Sequence, residues 1–426
     1  MQTYNIVLLG GSNSIIKDGL RSGLEQENIH LTNLALGMTG SLQNLYELKL
    51  PHNQEVISKA DIIITESFIN DLCLCKDGIA GIEIVLRSIH WFYGELAKLD
   101  KKVLVLILPF WDGNYSEEIE RIYNIHKICV GKYGFNAIDM QKFYQQKGVM
   151  NFFMRGDKLH QISPLMRLLG KNIANNLGLF HHHLMATETP KIEFGIISPK
   201  EMEVEGGGGD LESHEIKNSL FCKEVFRLEE GVKLRFQKSY YKAYLVGLHV
   251  WNDEKSSNEY YSVASKLCIQ TKDICMVKAV SNLRIFQTLT PILIDEKVMI
   301  FLAANYKSIT HKSEGANKIL KEILPYCNLI DFFVVYGEFL EEDSMEQKVE
   351  IKNDFNFLIP NVEFYKELIQ KYLEGLELVR GKNLEERLGE AVLKVSKRWY
   401  KGGYLWLWYK ARQIKKKYAK EFNEKE

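Results

Sequence analysis

Short apolar segments alternate with amphipathic helical segments along residues 1–185, and this alternation constrains the fold more than any other feature. The apolar segments are rich in Ile, Val and Leu on both faces, as buried parallel strands are; they span residues 4–9, 29–36, 60–65, 102–108 and 136–138. Helical patterns lie at residues 14–25, 42–48, 79–96, 116–132 and 164–177. The alternation predicts an open parallel sheet with helices on both faces, in which chemistry gathers at the carboxyl ends of the strands.

A second pattern begins after residue 190, where helical periodicity fades and short β-branched and aromatic runs take over. These runs span residues 192–197, 232–236, 243–251, 260–269, 275–279, 298–303 and 332–336. They predict a mainly β, sandwich-like domain, interrupted by one helix near residues 317–324. From residue 362 the pattern is helical again. We therefore expect three domains, at residues 1–185, 190–355 and 360–426.

Composition excludes several classes of protein. The chain has 426 residues, of which 46% are hydrophobic and 26% charged, so it is neither disordered nor basic throughout. No apolar run reaches the roughly 18–20 residues of a membrane span, and the first residues lack the basic region of a signal peptide. The seven Cys are scattered and odd in number, which favours reduced thiols. We expect a cytoplasmic location.

Four polar segments follow predicted strands or precede predicted helices. In the first, Gly10 and Gly11 permit a tight turn, and Ser12 begins a helix, where its N–H favours anions. A plain N-cap or a phosphate-binding turn would give the same pattern. The segment matches neither the P-loop nor the dinucleotide-binding motif, so nucleotide binding is disfavoured.

The other three segments have equally simple alternative interpretations. Gly40 lies in a turn after the second strand, Asn70 and Asp71 follow the third strand, and His160 closes the segment that begins at Asp157. An Asn-Asp pair at such a position also caps helices, and a lone His is more often structural than catalytic.

Taken together and in this order, the four segments resemble the sequence blocks of the SGNH hydrolase superfamily, the GDSL-like esterases and acyltransferases. That family has Ser in a G-x-S block, Gly in a second block, Asn in a G-x-N-D block and His in a D-x-x-H block. Ser12, Gly40, Asn70 and His160 occupy the matching positions. The resemblance covers about residues 3–180 and implies a flavodoxin-like, three-layer α/β/α domain.

The resemblance also implies a role for each residue. Ser12 would attack an acyl carbon, His160 would act as general base and then general acid, and Asp157 would hold the imidazole. The backbone N–H groups of Ser12 and Gly40 and the amide of Asn70 would form the oxyanion hole. No cofactor is implied. We expect Gly11 and Asp71 to support the site.

Two positions depart from the family pattern. Gly11 replaces the Asp of the G-D-S form, and Phe68 stands where the third block usually has Gly. We expect Phe68 to alter the wall beside the oxyanion hole.

Other candidates carry less weight. We expect the helical phase to turn Ser14 away from the strand end. Cys73 and Cys75 lack a second pair of ligands, and the adjacent residues 181–183, all His, cannot easily converge on one ion, so we expect no metal site. Several aromatic residues of the β domain would suit either sugar stacking or core packing, of which we favour packing: Tyr240, Tyr241, Tyr244, Trp251, Tyr260 and Tyr261.

The net charge of +0 hides an uneven distribution. Residues 394–420 carry ten Lys or Arg and no acidic residue, whereas residues 1–393 carry −8 and residues 421–426 carry −2. Half of the Trp residues, namely Trp399, Trp406 and Trp408, lie in the basic segment. A basic, aromatic helix is typical of a segment on an anionic membrane surface. A helix docked on the protein would explain the pattern equally well, and nothing else favours nucleic acid.

These features predict a serine esterase or O-acyltransferase that removes or transfers an acyl group, most simply acetyl, on a carbohydrate. The substrate would be a cell-surface polysaccharide or a glycolipid precursor, and the protein would act in the cytoplasm, peripherally at the inner membrane face. Two alternatives stay open: an inactive SGNH-fold protein with a binding or assembly role, and a lipase or thioesterase acting on longer acyl chains.

Overall fold

The computed structural model contains two compact units, Met1–Pro360 and Asn361–Glu426. The residues that it describes are 2–111, 113, 116–154, 156–183, 192–206, 210–218, 221–252, 263–281, 283–303, 308–314, 320–337, 350–380, 388 and 410–417.

The first 185 residues form five strands and ten helices within the described ranges. The strands are β1 (Tyr4–Gly10), β2 (Ile29–Asn33), β3 (Ile62–Glu66), β4 (Lys102–Ile107) and β5 (Asn136–Asp139). The helices are α1 (Ser12–Ile15), α2 (Leu20–Leu24), α3 (Ser41–Lys49), α4 (Gln54–Lys59), α5 (Phe68–Lys76), α6 (Ile82–Leu96), α7 (Glu117–Tyr133), α8 (Met140–Gln146), α9 (Met150–Phe153) and α10 (Ser163–Ala174).

The following residues form mainly strands. They are β6 (Glu193–Ile197), β7 (Glu203–Glu205), β8 (Glu212–Lys217), β9 (Cys222–Glu229), β10 (Lys233–Arg235), β11 (Tyr244–Trp251), β12 (Val263–Gln270), β13 (Cys275–Ser281), β14 (Arg284–Leu293), β15 (Met299–Leu302), β16 (Glu322–Leu324), β17 (Tyr326–Tyr336) and β18 (Asn353–Asp354). The second unit begins with α11 (Val362–Arg380).

The first sheet has the strand order β2-β1-β3-β4-β5-β18, and all of its pairings are parallel. The order 2-1-3-4-5 is that of flavodoxin-like folds, in which ligands bind outside the carboxyl ends of the strands. The predicted α/β class is therefore confirmed. The sixth strand, β18, comes from beyond the β domain and pairs Asn353 with Asn136.

Two further sheets form the predicted mainly β domain. Their strand orders are β13-β12-β15-β10-β7, with β16 beside β12, and β14-β11-β17-β9-β8, with β6 beside β17. Side chains of both sheets share one hydrophobic core, in which Leu267 and Ile300 of one sheet lie with Leu248, Ile285 and Phe332 of the other. Two sheets around one core make a sandwich.

Three predicted elements differ from the structure. The helix expected near residues 317–324 is wrong over Glu322–Leu324, because this segment is β16 and pairs in parallel with β12. The helix expected at residues 14–25 is interrupted, since α1 ends at Ile15 and α2 begins at Leu20. The strand expected at residues 29–36 ends at Asn33, whose side-chain oxygen accepts the Ala35 N–H and so turns the chain.

Helix α3 joins the α/β domain to the sandwich through buried polar side chains. The Tyr46 hydroxyl donates to Asp331 at 2.6 Å and lies 2.9 Å from His249 Nδ1. Arg284 donates to Glu47 at 2.9 Å and to His249 Nε2 at 3.0 Å. Burial, followed by the nearby Arg284 charge, lowers the pKa of His249 well below its usual value, so the ring is neutral in this network. Removing one partner would leave a buried polar group uncompensated.

Helices α2 and α10 cross closely because each contributes a glycine to the contact. A Cβ added at Gly170 would lie 2.5 Å from the Leu20 carbonyl oxygen, and one at Gly23 would lie 2.1 Å from the Arg167 carbonyl oxygen. Both neighbours are backbone atoms, which cannot rotate away. The contact fixes α10, and with it the polar segment that precedes this helix.

We expect Gly170→Ala to lower the free energy of unfolding by about 1–3 kcal/mol, as overpacking does in a tight core. Urea denaturation monitored by Trp fluorescence measures the change. Gly178→Ala is the control, because a Cβ at Gly178 meets no atom within 4 Å. Equal stability of both variants and the wild type would contradict the close helix contact.

Candidate active site

The carboxyl ends of β1 and β3 bring two of the polar segments together. Gly10, the last residue of β1, pairs with Glu66, the last residue of β3. Because the strands are parallel and end at the same level, the turn to Ser12 and the helix with Asn70 leave the sheet side by side. The strand ends therefore define one edge of the sheet as the candidate site.

Ser12, His160 and Asp157 form a chain of hydrogen bonds. His160 Nε2 lies 2.7 Å from Ser12 Oγ, and His160 Nδ1 lies 2.8 Å from Asp157 Oδ2. Since the carboxylate accepts the Nδ1 proton, Nε2 is left to accept from the Ser12 hydroxyl. Ser12 and His160 are 148 positions apart in the sequence. The fold nevertheless brings all three predicted catalytic residues into hydrogen-bond contact.

Asp157 also shapes its own loop. Its Oδ1 accepts the N–H groups of Leu159 at 2.9 Å and His160 at 3.0 Å. Burial raises the pKa of Asp157, but these N–H groups and the His160 ring outweigh it and hold the pKa below its usual value. Asp157 is therefore ionised at neutral pH. The side chains of His160 and Asp157 are 31% and 52% exposed, so the site is open to solvent.

Asn70 lies directly against the turn that carries Ser12. Its Nδ2 donates to the Thr39 carbonyl at 2.8 Å, which leaves the second amide hydrogen for another acceptor. A Cβ at Gly11 would lie 1.6 Å from Asn70 Nδ2. Glycine at position 11 therefore lets the amide approach, and its role in supporting the site stays a prediction.

Gly40 lies beside Asp71 at the start of α3. A Cβ at Gly40 would come within 2.3 Å of Asp71 Oδ1. Asp71 accepts the Ser41 N–H at 2.8 Å and the Ser41 hydroxyl at 2.6 Å, and its Oδ2 lies 3.2 Å from His126 Nε2. These bonds fix the turn that carries Gly40, and Asp71 itself is buried.

Glu66 is a functional candidate that the sequence analysis did not single out. Its side chain is buried, and Oε1 accepts the Gly11 N–H at 2.8 Å and the Ser14 hydroxyl at 3.0 Å. Burial raises the pKa of Glu66 to about 7, although both of these donors lower it. The available signal was a single acid at the end of β3, a buried strand that otherwise consists of three Ile and one Thr.

Asn13 is a second such residue. It is 3% exposed, and its amide bonds the backbone on both sides of His160: Nδ2 donates to the Leu159 carbonyl at 3.0 Å, and Oδ1 accepts the Gln161 N–H at 3.3 Å. No sequence pattern indicates this contact, because it joins residues 148 positions apart.

The remaining candidates lie elsewhere or act structurally. The ring of Phe68 packs against Tyr123 and His126, so the expected effect on the wall of the oxyanion hole has no counterpart in these contacts. The expectation that Ser14 turns away from the strand end is wrong, because its hydroxyl donates to Glu66, the last residue of β3, at 3.0 Å. Among the described residues of the β domain, Trp251 is 2% exposed and Tyr240 and Tyr241 pack on the core, as core packing predicts.

The three consecutive His residues point to different partners. His182 Nδ1 lies 3.5 Å from Asp100, whereas His183 Nε2 lies 3.3 Å from the Ala97 carbonyl. Asn136 bonds the backbone of His181. Within the described ranges, no cluster of three or more His, Cys, Asp or Glu side chains is suited to hold a metal ion.

Comparison with known proteins gives two kinds of similarity. Residues 307–420 match a domain family of unknown function, DUF8374. No curated protein sequence matches the chain. A lipase/acylhydrolase structure from Enterococcus faecalis is 20% identical, with a TM-score of 0.33, over 43% of this chain and 98% of that chain.

Two other solved structures give similar values. A lipase from a goat rumen metagenome is 18% identical, with a TM-score of 0.34, over 42% of this chain and 97% of its own. A catalytic mutant of an acetylxylan esterase from Geobacillus stearothermophilus is 12% identical, with a TM-score of 0.33, over 42% of this chain and 96% of its own.

The raised pKa of Glu66 predicts a pH-dependent stability. The group ionises near its ordinary pKa of 4.5 in the unfolded chain but near 7 in the folded protein, so the folded state holds the extra proton between these values. The free energy of unfolding must fall as pH rises through this window, by about 3 kcal/mol from this group. Glu66→Gln cannot ionise, and its amide oxygen still accepts the Gly11 N–H, so we expect the variant to lack this fall.

Urea denaturation of the wild type and of Glu66→Gln at pH 4.5 and pH 8 measures the contribution of Glu66. The contributions of all other titrating groups cancel in the difference between the two proteins. Glu27→Gln, at an exposed position, is the control and should follow the wild type. The same pH dependence in Glu66→Gln and the wild type would show that Glu66 keeps its ordinary pKa.

Proposed function

We propose that the protein is a serine-dependent esterase or O-acyltransferase that removes or transfers a short acyl group, most simply acetyl, on a carbohydrate. The observation that carries this proposal is the hydrogen-bonded chain Ser12–His160–Asp157 beside the Asn70 amide. A nucleophile, a base, a group that orients the base and a donor for the oxyanion are the parts that acyl transfer requires.

In the first half-reaction Ser12 Oγ attacks the acyl carbon while its proton passes to His160 Nε2. Asp157, held ionised by its N–H donors, stabilises the imidazolium that forms. The negative charge on the carbonyl oxygen is met by the N–H groups of Ser12 and Gly40 and by the Asn70 amide. The tetrahedral intermediate then collapses, the ester C–O bond breaks, and His160 returns the proton to the leaving alcohol.

In the second half-reaction an acceptor hydroxyl attacks the acyl-Ser12 ester. His160 removes the proton of the acceptor and later returns it to Ser12 Oγ. Water as acceptor gives hydrolysis, and a sugar hydroxyl gives transfer, so both activities use the same residues. Product analysis with an acetyl donor and sugar acceptors distinguishes them.

The open site supports a bulky substrate with a small acyl group. With His160 and Asp157 a third to a half exposed, an acetyl group on a polysaccharide or glycolipid precursor can reach Ser12 without entering a channel. A lipase or thioesterase on longer chains is the competing proposal, supported by two exposed apolar side chains near the site, Met38 and Ile162. A series of esters from acetyl to palmitoyl decides between them.

We expect Ser12→Ala to abolish hydrolysis of p-nitrophenyl acetate and labelling by a fluorophosphonate, because the substitution removes the hydroxyl group that would attack and little else. Its circular dichroism and thermal midpoint should stay near those of the wild type. Ser58→Ala, which removes an exposed hydroxyl bonded to the Glu55 carbonyl, is the control and should keep full activity.

Residual turnover of Ser12→Ala near the wild-type rate would refute Ser12 as the nucleophile. Absence of both turnover and labelling in the wild type would favour the alternative, an SGNH-fold protein with a binding or assembly role.

A peripheral location at the cytoplasmic membrane face is a further part of the proposal. Residues 410–417 of the basic segment are helical, and the rest of residues 394–420 lies outside the described ranges. None of the described helices is long and apolar enough to cross a membrane. Near anionic lipid, each of Lys415, Lys416 and Lys417 would contribute about 1 kcal/mol to the free energy of membrane binding.

We expect the chain to sediment with vesicles that contain anionic lipid and to stay in solution with neutral vesicles. Replacing Lys415, Lys416 and Lys417 by Glu should reduce sedimentation, because the attraction becomes repulsion, and esterase activity on a soluble ester should not change. Equal recovery in the supernatant with both vesicle types would remove the membrane proposal and favour a docked helix.

A further inference from the structure

The segment that carries Asp157 and His160 is shaped by its own hydrogen bonds. Within the described residues, Asp157 bonds the Leu159 N–H, the His160 N–H and the His160 ring, all at most three residues away. These contacts fix the Asp–His pair as a unit. They do not determine where this unit stands relative to Ser12.

Asn13 bonds this unit directly to the turn that carries Ser12. Its side chain donates to the Leu159 carbonyl at 3.0 Å and accepts the Gln161 N–H at 3.3 Å, so it bonds the residues immediately before and after His160. Asn13 follows Ser12 in the first turn of α1 and is 3% exposed. One short side chain therefore connects the nucleophile turn to the backbone that carries the base.

We propose that Asn13 is a positioning residue, which holds His160 Nε2 at hydrogen-bond distance from Ser12 Oγ. The proposal rests on the proposed function, since it assigns a role within the same site. Its physical reason is that a general base must lie about 2.6–3.2 Å from the proton it accepts. A misplacement of about 1 Å costs on the order of 10²-fold in rate.

An amide suits this role because it supplies one donor and one acceptor on a short, neutral side chain. An aspartate of the same size could still accept the Gln161 N–H, but it would place a carboxylate oxygen against the Leu159 carbonyl. An alanine would make neither bond and would remove the side-chain partner of the buried Gln161 N–H and of the half-buried Leu159 carbonyl.

Asn136 provides a matched control in the same domain. It is 0% exposed, and its Nδ2 donates to the His181 carbonyl at 2.9 Å while its Oδ1 accepts the His181 N–H at 2.9 Å. It opens β5, at the amino end of that strand, and so lies at the opposite edge of the sheet from the candidate site. The two residues thus share a buried amide that bonds the backbone, but they differ in what they hold, and Asn136 Nδ2 also donates to the Val103 carbonyl at 2.8 Å.

The test compares Asn13→Ala, Asn13→Asp and Asn136→Ala with the wild type. With p-nitrophenyl acetate we expect both Asn13 variants to lose about 10²-fold in kcat with little change in KM, and the rate of fluorophosphonate labelling to fall in the same ratio. Asn136→Ala should keep its kcat even if its thermal midpoint falls. Asn13→Asp preserves side-chain size and so provides a folded variant if Asn13→Ala unfolds.

Hydrogen exchange gives a readout that does not need activity. We expect amides of residues 157–161 to exchange faster in both Asn13 variants than in Asn136→Ala. Unchanged exchange there, a kcat within about two-fold of the wild type, or an equal loss in Asn136→Ala would overturn the proposal. If the wild type lacks esterase activity, the proposed function fails, and the exchange comparison still decides whether Asn13 holds the loop.

Discussion

The parallel pairing of β1 with β3 is the constraint on which the candidate site depends. Because Gly10 stands opposite Glu66, the turn with Ser12 and the helix with Asn70 start at the same level of the sheet. A register shift of one residue would move the two segments about 3.3 Å apart. Their contact is close enough that Gly11 leaves no room for a Cβ beside the Asn70 amide. The relative position of Ser12 and the Asn70 amide thus follows from the register of the two strands.

Unfavourable local features accompany this geometry. Glu66 is a carboxyl group buried beneath the turn that carries Ser12, where desolvation opposes its charge, yet it accepts hydrogen bonds from the Gly11 N–H and the Ser14 hydroxyl. Met38, near Gly40, has a positive φ of 66°, which is rarely adopted by a residue with a side chain. Such costs persist where the surrounding structure over-determines the conformation, and they concentrate at functional sites.

The sandwich contributes to the same site through α3. The N-terminus of this helix carries Gly40 and Ser41, while Tyr46 and Glu47 farther along bond Asp331 and Arg284 of the sandwich. Because these partners are buried, the helix cannot shift without breaking charged or polar contacts in a low dielectric. The β domain therefore stabilises one wall of the site, whatever its part in binding substrate.

The sequence by itself determined the layer architecture and the candidate site residues. Apolar runs with flanking turn residues were enough to predict β1 to β5 but not β18, the sixth strand of the parallel sheet, and the block order was enough to select Ser12, Gly40, Asn70, Asp157 and His160. Local patterns suffice for such features because they depend on burial and turn chemistry within a few residues. They were insufficient for β16, whose helical spacing was overridden by pairing with β12.

Only the tertiary structure decided how those residues are held. The contacts of Asn13 with Leu159 and Gln161, of Glu66 with Gly11, and of α3 with the sandwich join segments that lie between 55 and 285 positions apart. No local pattern encodes such contacts, since each depends on which backbone groups folding leaves unpaired and buried. An asparagine that follows a serine predicts no particular role from the sequence alone. Asn13 has a role only because the sheet and the α2–α10 contact bring the backbone around His160 within hydrogen-bond distance of its amide.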